Sequence, residues 1–292
     1  MIKVLQVSDH GFHGNFYPTT TKDKALIVIT GSDGGITWAQ QIAELFSSKG
    51  ITALAVAYWG IKGLPKNLSL IPIETIQAAV CWLQEQGYQE IGIYGVSKGA
   101  ELALTSASFL PQIKFVIAVS PACCSFEGIA KPAYSGASSW TWNGNPLPYV
   151  SFKSISVNIV KDFLKNHEFG FVKHYLKVLE TEKNEENTIK VENINGPILL
   201  LSAKEDAQWP SATMGAMVCD RLKVKEFPFP FHHEIYSPAS HILNPIAPGR
   251  LKKILRLAYL VERKHQKECD IARDRALQLS LDWIAGIRNH PA

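Results

Sequence analysis

The amino-acid sequence predicts an α/β fold, in which a mostly parallel central sheet carries helices on both faces. Short apolar runs rich in β-branched residues recur along the chain, and helical patterns lie between them. A long segment, residues 120–196, interrupts this alternation after the fourth recognised strand. Of the 292 residues, 46% are hydrophobic and 19% are charged, so the chain can build a core and is not predicted to be disordered.

Five continuous apolar runs predict the strands of the sheet. They are residues 25–30, 53–58, 91–94, 115–119 and 198–202. Continuous rather than alternating apolar character is typical of parallel strands that are buried on both faces. Two further strands are predicted, one at residues 1–6, where apolar and polar residues alternate, and the last one at residues 234–236.

Helical patterns connect these strands through right-handed crossovers. Residues 38–49 predict a helix that ends at Gly50, because glycine suits the left-handed conformation of a C-terminal cap. A second helix is predicted with Pro72 in its first turn and with an apolar face formed by Ile73, Ile76, Val80 and Leu83. Residues 250–287 are also predicted to be helical, with an apolar stripe against the sheet formed by Leu277, Leu281 and Ile284.

Residues 120–196 are predicted to be an insertion within a single domain that spans residues 1–292. This interval is far longer than one crossover needs, and a long connection in a compact domain usually has structure or a function. We expect the insertion to lie over the sheet, either as a lid or as part of a substrate pocket. The alternative is a surface excursion without a role.

Composition excludes several other classes of protein. The net charge of +4 is small for a nucleic-acid-binding protein, and the five cysteines include no Cys-x-x-Cys pair that would suggest a zinc site. No signal peptide and no apolar run of ~18 residues is present. We therefore expect a soluble cytoplasmic protein with no metal, no cofactor, no nucleic-acid partner and no membrane span; the sequence does not predict its oligomeric state.

The strongest chemical signal is a G-x-S-x-G motif formed by Gly95, Ser97 and Gly99. It directly follows a predicted strand and precedes a helical pattern, which is the context of a nucleophile elbow. The sharp turn requires glycines where side chains would clash, and it exposes the serine hydroxyl at a helix N-terminus. The motif therefore predicts Ser97 as a nucleophile. The alternative is a tight glycine-rich turn with an incidental serine.

A serine hydroxyl needs a general base, and the base needs an acid that orients it. The acid is expected after a later strand. Asp206 is preferred over Glu205 because it lies further into the loop. The alternative is that both are solvated loop carboxylates without a catalytic role. His241 is preferred as the base over His232 and His233 because it follows the last predicted strand. The adjacent histidine pair has no carboxylate spacing that would support a metal site.

Two backbone N–H groups are expected to bind the developing oxyanion. One belongs to Lys98, the residue after the nucleophile. The other belongs to Ser32 or Asp33, in a glycine-rich loop that follows the first predicted buried strand. The sequence does not choose between these two residues.

The chain resembles the C-terminal catalytic domain of the acyl-CoA thioesterase and bile acid-CoA:amino acid N-acyltransferase family. The resemblance extends from about residue 11 to the final helix, and it lies in residues 64–66 (LPK), 71–74 (IPIE), 95–104, 106–110 (SASFL), 138–142 (SSWTW), 146–149 (PLPY) and 239–241 (ASH). It implies an α/β-hydrolase fold and a triad of Ser97, Asp206 and His241. The family usually has glycine where this chain has Ser240.

Two departures from the family pattern bear on the function. Mammalian thioesterases of the family have a β-sandwich before the hydrolase domain, and only about 24 residues precede the first buried strand here, too few for a sandwich of roughly 100 residues. The amino-acid transferases of the family have cysteine as the nucleophile, whereas this chain has Ser97. The serine favours water as the acyl acceptor, and therefore hydrolysis.

The sequence therefore predicts a serine hydrolase that cleaves acyl thioesters, with acyl-CoA as the substrate implied by the resemblance. The alternatives are a carboxylesterase or dienelactone-type hydrolase acting on small oxygen esters, and an acyltransferase or a non-catalytic binding module on the same fold. Four aromatic residues could line an acyl pocket, although core packing explains them equally well: Trp140, Trp142, Tyr149 and Trp209.

Overall fold

The computed structural model describes residues 2–20, 23–130, 133–155, 167–168, 170–244 and 250–286. Within these ranges the strands are β1 (Lys3–Leu5), β2 (His13–Tyr17), β3 (Lys24–Ile29), β4 (Thr52–Ala57), β5 (Ile71–Pro72), β6 (Glu90–Val96), β7 (Ile113–Val119), β8 (Glu127–Ala130), β9 (Ala133–Ser138), β10 (Trp140–Trp142), β11 (Asn145–Pro146), β12 (Ile198–Ala203) and β13 (Phe231–Tyr236). The helices are α1 (Val7–His10), α2 (Thr37–Ser48), α3 (Glu74–Glu85), α4 (Lys98–Phe109), α5 (Val172–Thr181), α6 (Ser211–Val224), α7 (Arg250–Ala258), α8 (Leu260–Lys264) and α9 (Gln266–Gly286).

An eight-stranded sheet in the order β1-β2-β4-β3-β6-β7-β12-β13 forms the centre of the fold. The strands from β4 to β13 in this order are parallel, whereas β2 is antiparallel to both of its neighbours. This arrangement confirms the predicted mostly parallel sheet. Five of the six parallel strands lie at the predicted apolar runs, with bounds that differ by a few residues, and β13 extends the strand predicted at residues 234–236 to Phe231–Tyr236.

Helices cover both faces of the sheet, as predicted. Apolar residues of α2 and α9 pack on one face, and residues of α3, α4 and α6 pack on the other. The predicted C-terminal stripe contacts the first of these faces, since Ile284 is buried there and Leu277 and Leu281 are partly buried. No helix in the described part of the chain is long and apolar enough to cross a membrane.

Strand β2 was not predicted. It contains Gly14 and Asn15, which are poor strand formers, but it lies between β1 and β4 and is almost wholly buried. A Cβ atom at Gly14 would lie 2.8 Å from the Ala55 backbone oxygen on β4, so the close approach of the two strands favours glycine there. Pairing with a neighbour, rather than local propensity, determines this strand.

The predicted position of Pro72 in the first turn of α3 is wrong. Pro72 belongs to β5, which pairs in parallel with β10 of the insertion. The backbone N–H groups of Ile71 and Ile73 donate to the carbonyl oxygens of Ser139 and Thr141, and α3 then begins at Glu74. The contact with the insertion, which is distant in sequence, holds this segment extended.

The C-terminal segment forms three helices instead of the single predicted one. Tyr259, between α7 and α8, is extended at φ −116° and ψ 132° and is buried, and His265 separates α8 from α9. The buried Tyr259 ring packs in a small apolar cluster with Val261 and Cys269 at this break. Residue 287, the predicted end of the helix, lies outside the described residues.

The insertion between β7 and β12 has secondary structure of its own. Strands β8 and β9 form an antiparallel pair, β11, β10 and β5 form a second small sheet, and α5 follows. Residues 131–132, 156–166 and 169 of the predicted insertion lie outside the described residues. The role of the insertion as a lid stays a prediction.

We expect the substitution Gly92→Ala to lower the free energy of unfolding by about 1–3 kcal/mol, the usual cost of overpacking a core. The Phe115 ring on β7 lies across Gly92 of β6, so an added Cβ atom would lie 2.1 Å from it. Urea denaturation would measure this loss. Gly286→Ala is the matched control, because its Cβ atom meets no atom within 4 Å; equal effects of both substitutions would contradict the explanation.

Candidate active site

Ser97 occupies a strained turn between β6 and α4, with φ +58° and ψ −123°. Such a conformation is rare for a residue with a side chain. The turn is possible because its flanking residues are glycines: a Cβ atom at Gly95 would lie 2.2 Å from the Gly99 oxygen, and one at Gly99 would lie 2.5 Å from the Thr30 oxygen. The close contact of α4 with β3 and β6 therefore presents the Ser97 hydroxyl at the carboxyl edge of the sheet.

The structure brings Ser97, His241 and Asp206 into one hydrogen-bonded chain. The Nε2 atom of His241 lies 2.9 Å from Ser97 Oγ, and its Nδ1 atom lies 2.9 Å from each carboxylate oxygen of Asp206. These residues follow β6, β13 and β12, whose ends share one edge of the parallel sheet. The network is consistent with an Nδ1–H tautomer, which leaves the Nε2 lone pair directed at the serine hydroxyl.

Asp206 is held in place by the loop that it begins. One of its oxygens, Oδ1, accepts the backbone N–H groups of Gln208 at 2.9 Å and Trp209 at 3.3 Å. The alternative acid, Glu205, points elsewhere: its oxygens accept the Ser237 hydroxyl at 2.7 Å and the Ala239 N–H at 3.0 Å. Glu205 thus binds the loop that leads to His241, and Asp206 contacts the imidazole.

A buried ion pair fixes the backbone on both sides of His241. Ser240, at the position where the family usually has glycine, donates its hydroxyl to Glu262 at 2.6 Å. Glu262 pairs with Arg273 at 2.6 Å, and Arg273 also donates to the Ile242 carbonyl oxygen. This departure from the family pattern therefore adds an anchor to the histidine loop.

The two other candidate histidines lie on β13 and do not contact Ser97. His232 is exposed and lies 3.0 Å from Glu234. His233 packs over Gly215 of α6, with its Nε2 atom 2.8 Å from Ser202 Oγ. Burial lowers the pKa of His233 below its ordinary value of 6.5.

The loop after β3 passes directly against the elbow. A Cβ atom at Gly31 would lie 2.9 Å from Ser97 Cβ and 3.2 Å from the Lys98 nitrogen. The Gly31 carbonyl oxygen accepts from Trp59 Nε1 at 3.2 Å, and the Tyr58 hydroxyl, also 3.2 Å from it, donates more closely to the Thr30 carbonyl oxygen at 2.6 Å. Because N–H and C=O are antiparallel in a trans peptide, the Ser32 N–H points away from these two side chains.

A cavity of about 600 Å³ opens at Ser97, and its walls are largely aromatic. The rings that line it are Trp38, Tyr134, Phe152, Phe171, Tyr175, Trp209 and Tyr259. Four of these rings form a connected row that ends at His241. Tyr134 stacks on Phe152 at 4.1 Å, Phe152 meets Tyr175 at 4.9 Å, Tyr175 meets Trp209 at 5.5 Å, and Trp209 meets the His241 ring at 5.9 Å. Four of them, Tyr134, Phe152, Phe171 and Tyr175, belong to the insertion, which therefore forms a large part of the cavity.

Of the four predicted pocket residues, only Trp209 lines this cavity. Trp140 is fully buried and donates its Nε1–H to Glu101, Trp142 packs against Phe109, and Tyr149 donates its hydroxyl to the Gly136 oxygen. Core and surface packing accounts for these three. No sequence pattern predicts the other rings of the wall, because they come from separate segments with no shared spacing.

The sheet order, the strained serine turn and the loop positions of the three contacting side chains define an α/β-hydrolase fold. The family described as "BAAT / Acyl-CoA thioester hydrolase C terminal" matches residues 71–254. The chain belongs to this family, which confirms the resemblance seen in its sequence.

Individual proteins agree with this assignment. Human acyl-coenzyme A thioesterase 1 is 25% identical over 201 residues, which are 68% of this chain and 44% of that protein. Mouse acyl-coenzyme A thioesterase 6 is 29% identical over 205 residues, 68% of this chain and 43% of that protein. The chain thus spans less than half the length of these two relatives.

A solved structure supports the fold alone. MGS-M1, an α/β hydrolase enzyme from a Medee basin deep-sea metagenome library, superposes with a TM-score of 0.57 at 15% identity, covering 99% of this chain and 98% of that one.

We expect the stability contributed by His233 to be lost in acid. Because burial lowers its pKa, the unfolded chain binds the proton more readily, so this stability is present above about pH 6.5 and declines as the pH falls below it. Urea denaturation at pH 7.5 and pH 5.5 should show a smaller decline for His233→Gln than for the wild type. The exposed His265→Gln is the control, and an unchanged decline in His233→Gln would contradict the assignment.

Proposed function

We propose that the chain is a serine hydrolase that cleaves acyl esters or thioesters, with acyl-CoA thioesters as its substrates. The observation that carries this proposal is the hydroxyl of Ser97, 2.9 Å from an imidazole whose other nitrogen meets a buried carboxylate, at the edge of an aromatic cavity. Membership of the family and the names of the two thioesterase relatives support the choice of substrate.

In the proposed mechanism, Ser97 Oγ attacks the carbonyl carbon of the substrate while His241 Nε2 accepts the hydroxyl proton. The tetrahedral intermediate collapses, the leaving thiolate or alkoxide takes that proton from His241, and an acyl ester remains on Ser97. A water molecule then attacks the ester and gives a proton to His241. Return of the proton to Ser97 Oγ releases the carboxylic acid, while Asp206 stabilises and orients the imidazolium throughout.

The proposed oxyanion site consists of the backbone N–H groups of Lys98 and Ser32. Lys98 is the first residue of α4, where a backbone N–H has no partner within the helix. Ser32 is favoured over Asp33 because Trp59 binds the Gly31 carbonyl oxygen, which turns the next N–H to the opposite side. The close approach of this loop to the elbow, with a Cβ atom at Gly31 only 2.9 Å from Ser97 Cβ, supports a donor from this loop.

Water is the acyl acceptor in this proposal, because the nucleophile is serine rather than the cysteine that the resemblance associates with amino-acid transfer. The insertion acts as part of the substrate pocket, since Tyr134, Phe152 and Tyr175 contribute to the cavity wall. We also propose that residues 1–292 form one domain around this site.

We expect Ser97→Ala to abolish labelling by a fluorophosphonate probe and to lower kcat by about 10³- to 10⁶-fold, because the nucleophile is removed while the fold is retained. A panel of palmitoyl-CoA, shorter acyl-CoAs and p-nitrophenyl esters should be assayed with both proteins. Ser108→Ala, on the same helix, is the control. If the wild type hydrolyses p-nitrophenyl esters but no acyl-CoA, the protein is a carboxylesterase rather than a thioesterase. If the probe does not label the wild type, the proposal of a serine hydrolase is wrong.

We expect Asp206→Asn to lower kcat by about 10³- to 10⁴-fold, since an amide favours the wrong imidazole tautomer and cannot stabilise the imidazolium. Glu205→Gln, the matched change at the neighbouring residue, should lower kcat by about tenfold or less, because Glu205 accepts from the Ser237 hydroxyl and the Ala239 N–H and does not contact the imidazole in the described part of the chain. Steady-state kinetics on one substrate would compare them. A larger loss in Glu205→Gln would reverse the assignment of the acid.

A further inference from the structure

The side chain of Lys98, the residue after the proposed nucleophile, is buried inside the protein. It is 3% exposed, and its Nζ atom lies 2.9 Å and 3.1 Å from the two carboxylate oxygens of Glu101, one turn along α4. Nζ also donates to Ser139 Oγ at 2.8 Å. A Lys–Glu pair at this spacing normally lies on the exposed face of a helix, where it contributes little.

Both members of this pair contact the insertion. Glu101 Oε1 accepts the backbone N–H of Phe126 at 2.9 Å and the indole N–H of Trp140 at 2.8 Å. The Lys98 ammonium lies 5.8 Å and 5.6 Å from the ring centroids of Phe126 and Trp140, within the range of a cation–π contact. Ser139, which accepts from Lys98, donates to the Phe126 carbonyl oxygen at 2.7 Å. Three residues of the insertion therefore converge on one ion pair beneath the elbow.

Stability alone is a poor explanation for this pair. Burial lowers the pKa of Lys98 and raises the pKa of Glu101, which means that desolvation works against both charges. A well-packed apolar pair of similar volume is often as stable as a buried ion pair, or more so. The pair does have one geometric consequence, because it fixes the orientation of the residue whose backbone N–H faces the developing oxyanion.

We propose that Lys98 and Glu101 are positioning residues that couple the insertion to the nucleophile elbow and hold the Lys98 N–H in the direction of the oxyanion. This inference rests on the proposed function of Ser97. It gives the insertion two roles: its aromatic residues form the cavity wall, and its Phe126–Trp140 segment fixes the oxyanion site. Disturbing that segment should therefore lower kcat, whereas a pure substrate-binding role would change KM.

The first test is the double variant Lys98→Met/Glu101→Gln. Phe126 and Trp140 of the insertion both donate to Glu101 Oε1, and glutamine keeps an acceptor oxygen at that position. In the described part of the chain, Lys98 is the only partner of the other oxygen, Oε2. The double variant thus removes the two charges without leaving either one unpaired. We expect its thermal midpoint to stay near the wild-type value and its kcat to fall by about 10- to 100-fold, with KM changed less than about threefold.

A transition-state analogue distinguishes loss of the oriented Lys98 N–H from a general disturbance of the active site. Ser97 Oγ adds to the carbonyl of an acyl trifluoromethyl ketone, its proton passes to His241, and the former carbonyl oxygen becomes an oxyanion in the site. The affinity of this adduct should fall in proportion to kcat/KM in the double variant. The affinity of the product acid, which forms no tetrahedral oxyanion, should remain within about threefold. Unchanged analogue affinity, or unchanged kcat, would overturn the proposal.

Ser139→Ala provides a second test if the double variant folds poorly. It removes the contacts of Ser139 with Lys98 and with the Phe126 oxygen, and the conservative change leaves the ion pair itself in place. Ser280→Ala is the matched control, because this equally buried serine lies on α9 and donates its hydroxyl to the Ala276 carbonyl oxygen, outside the Phe126–Trp140 segment. We expect a several-fold loss of kcat and of fluorophosphonate labelling rate in Ser139→Ala only; equal effects in both variants would refute the coupling.

Labelling also separates this inference from the proposed function. If the wild type reacts with the fluorophosphonate and the variants react equally fast, the proposal of a serine hydrolase stands and the positioning role is wrong. A wild type that does not react rejects the serine hydrolase, and the positioning role falls with it.

Discussion

The close packing of α4 against β3 and β6 is the constraint on which the rest of the structure depends. Gly95 and Gly99 allow this contact, since a Cβ atom at either position would collide with backbone. The contact leaves Ser97 at φ +58°, a conformation that costs on the order of 1–3 kcal/mol and that the surrounding fold must offset. This turn places the Ser97 hydroxyl at the edge of the sheet, next to the N-terminus of α4. Side chains that follow other parallel strands can therefore reach the hydroxyl.

Two buried ion pairs hold the two sides of the candidate site. Lys98 and Glu101 lie under the elbow, and Glu262 and Arg273 lie behind the loop that carries His241. Each pair also binds backbone atoms of the segment next to it, so its charges orient main chain as well as each other. Under the proposed mechanism, the direction of the backbone matters on both sides, because proton transfer between Ser97 and His241 tolerates only small displacements of the donor and the acceptor.

Much of the fold and the contacts among the proposed triad residues could be predicted from the sequence, since both depend on local signals. Most of the parallel strands appear as continuous apolar runs, and Ser97, Asp206 and His241 each follow a predicted strand. The features that were not predicted depend on contacts between distant segments. Strand β2 is poor in strand formers, Pro72 is held extended by the insertion, and the aromatic wall gathers rings from unrelated stretches of chain. Periodicity carries no information about such pairings, so only the folded structure reveals them.

The separation of 144 residues between Ser97 and His241 has a consequence for biosynthesis. The elbow emerges from the ribosome long before β13 and the histidine loop exist, and Arg273, which anchors that loop, comes later still. Throughout this interval the nascent chain carries Ser97 without the imidazole that the proposed mechanism requires. Under that proposal, hydrolysis can begin only when the C-terminal segments have joined the fold.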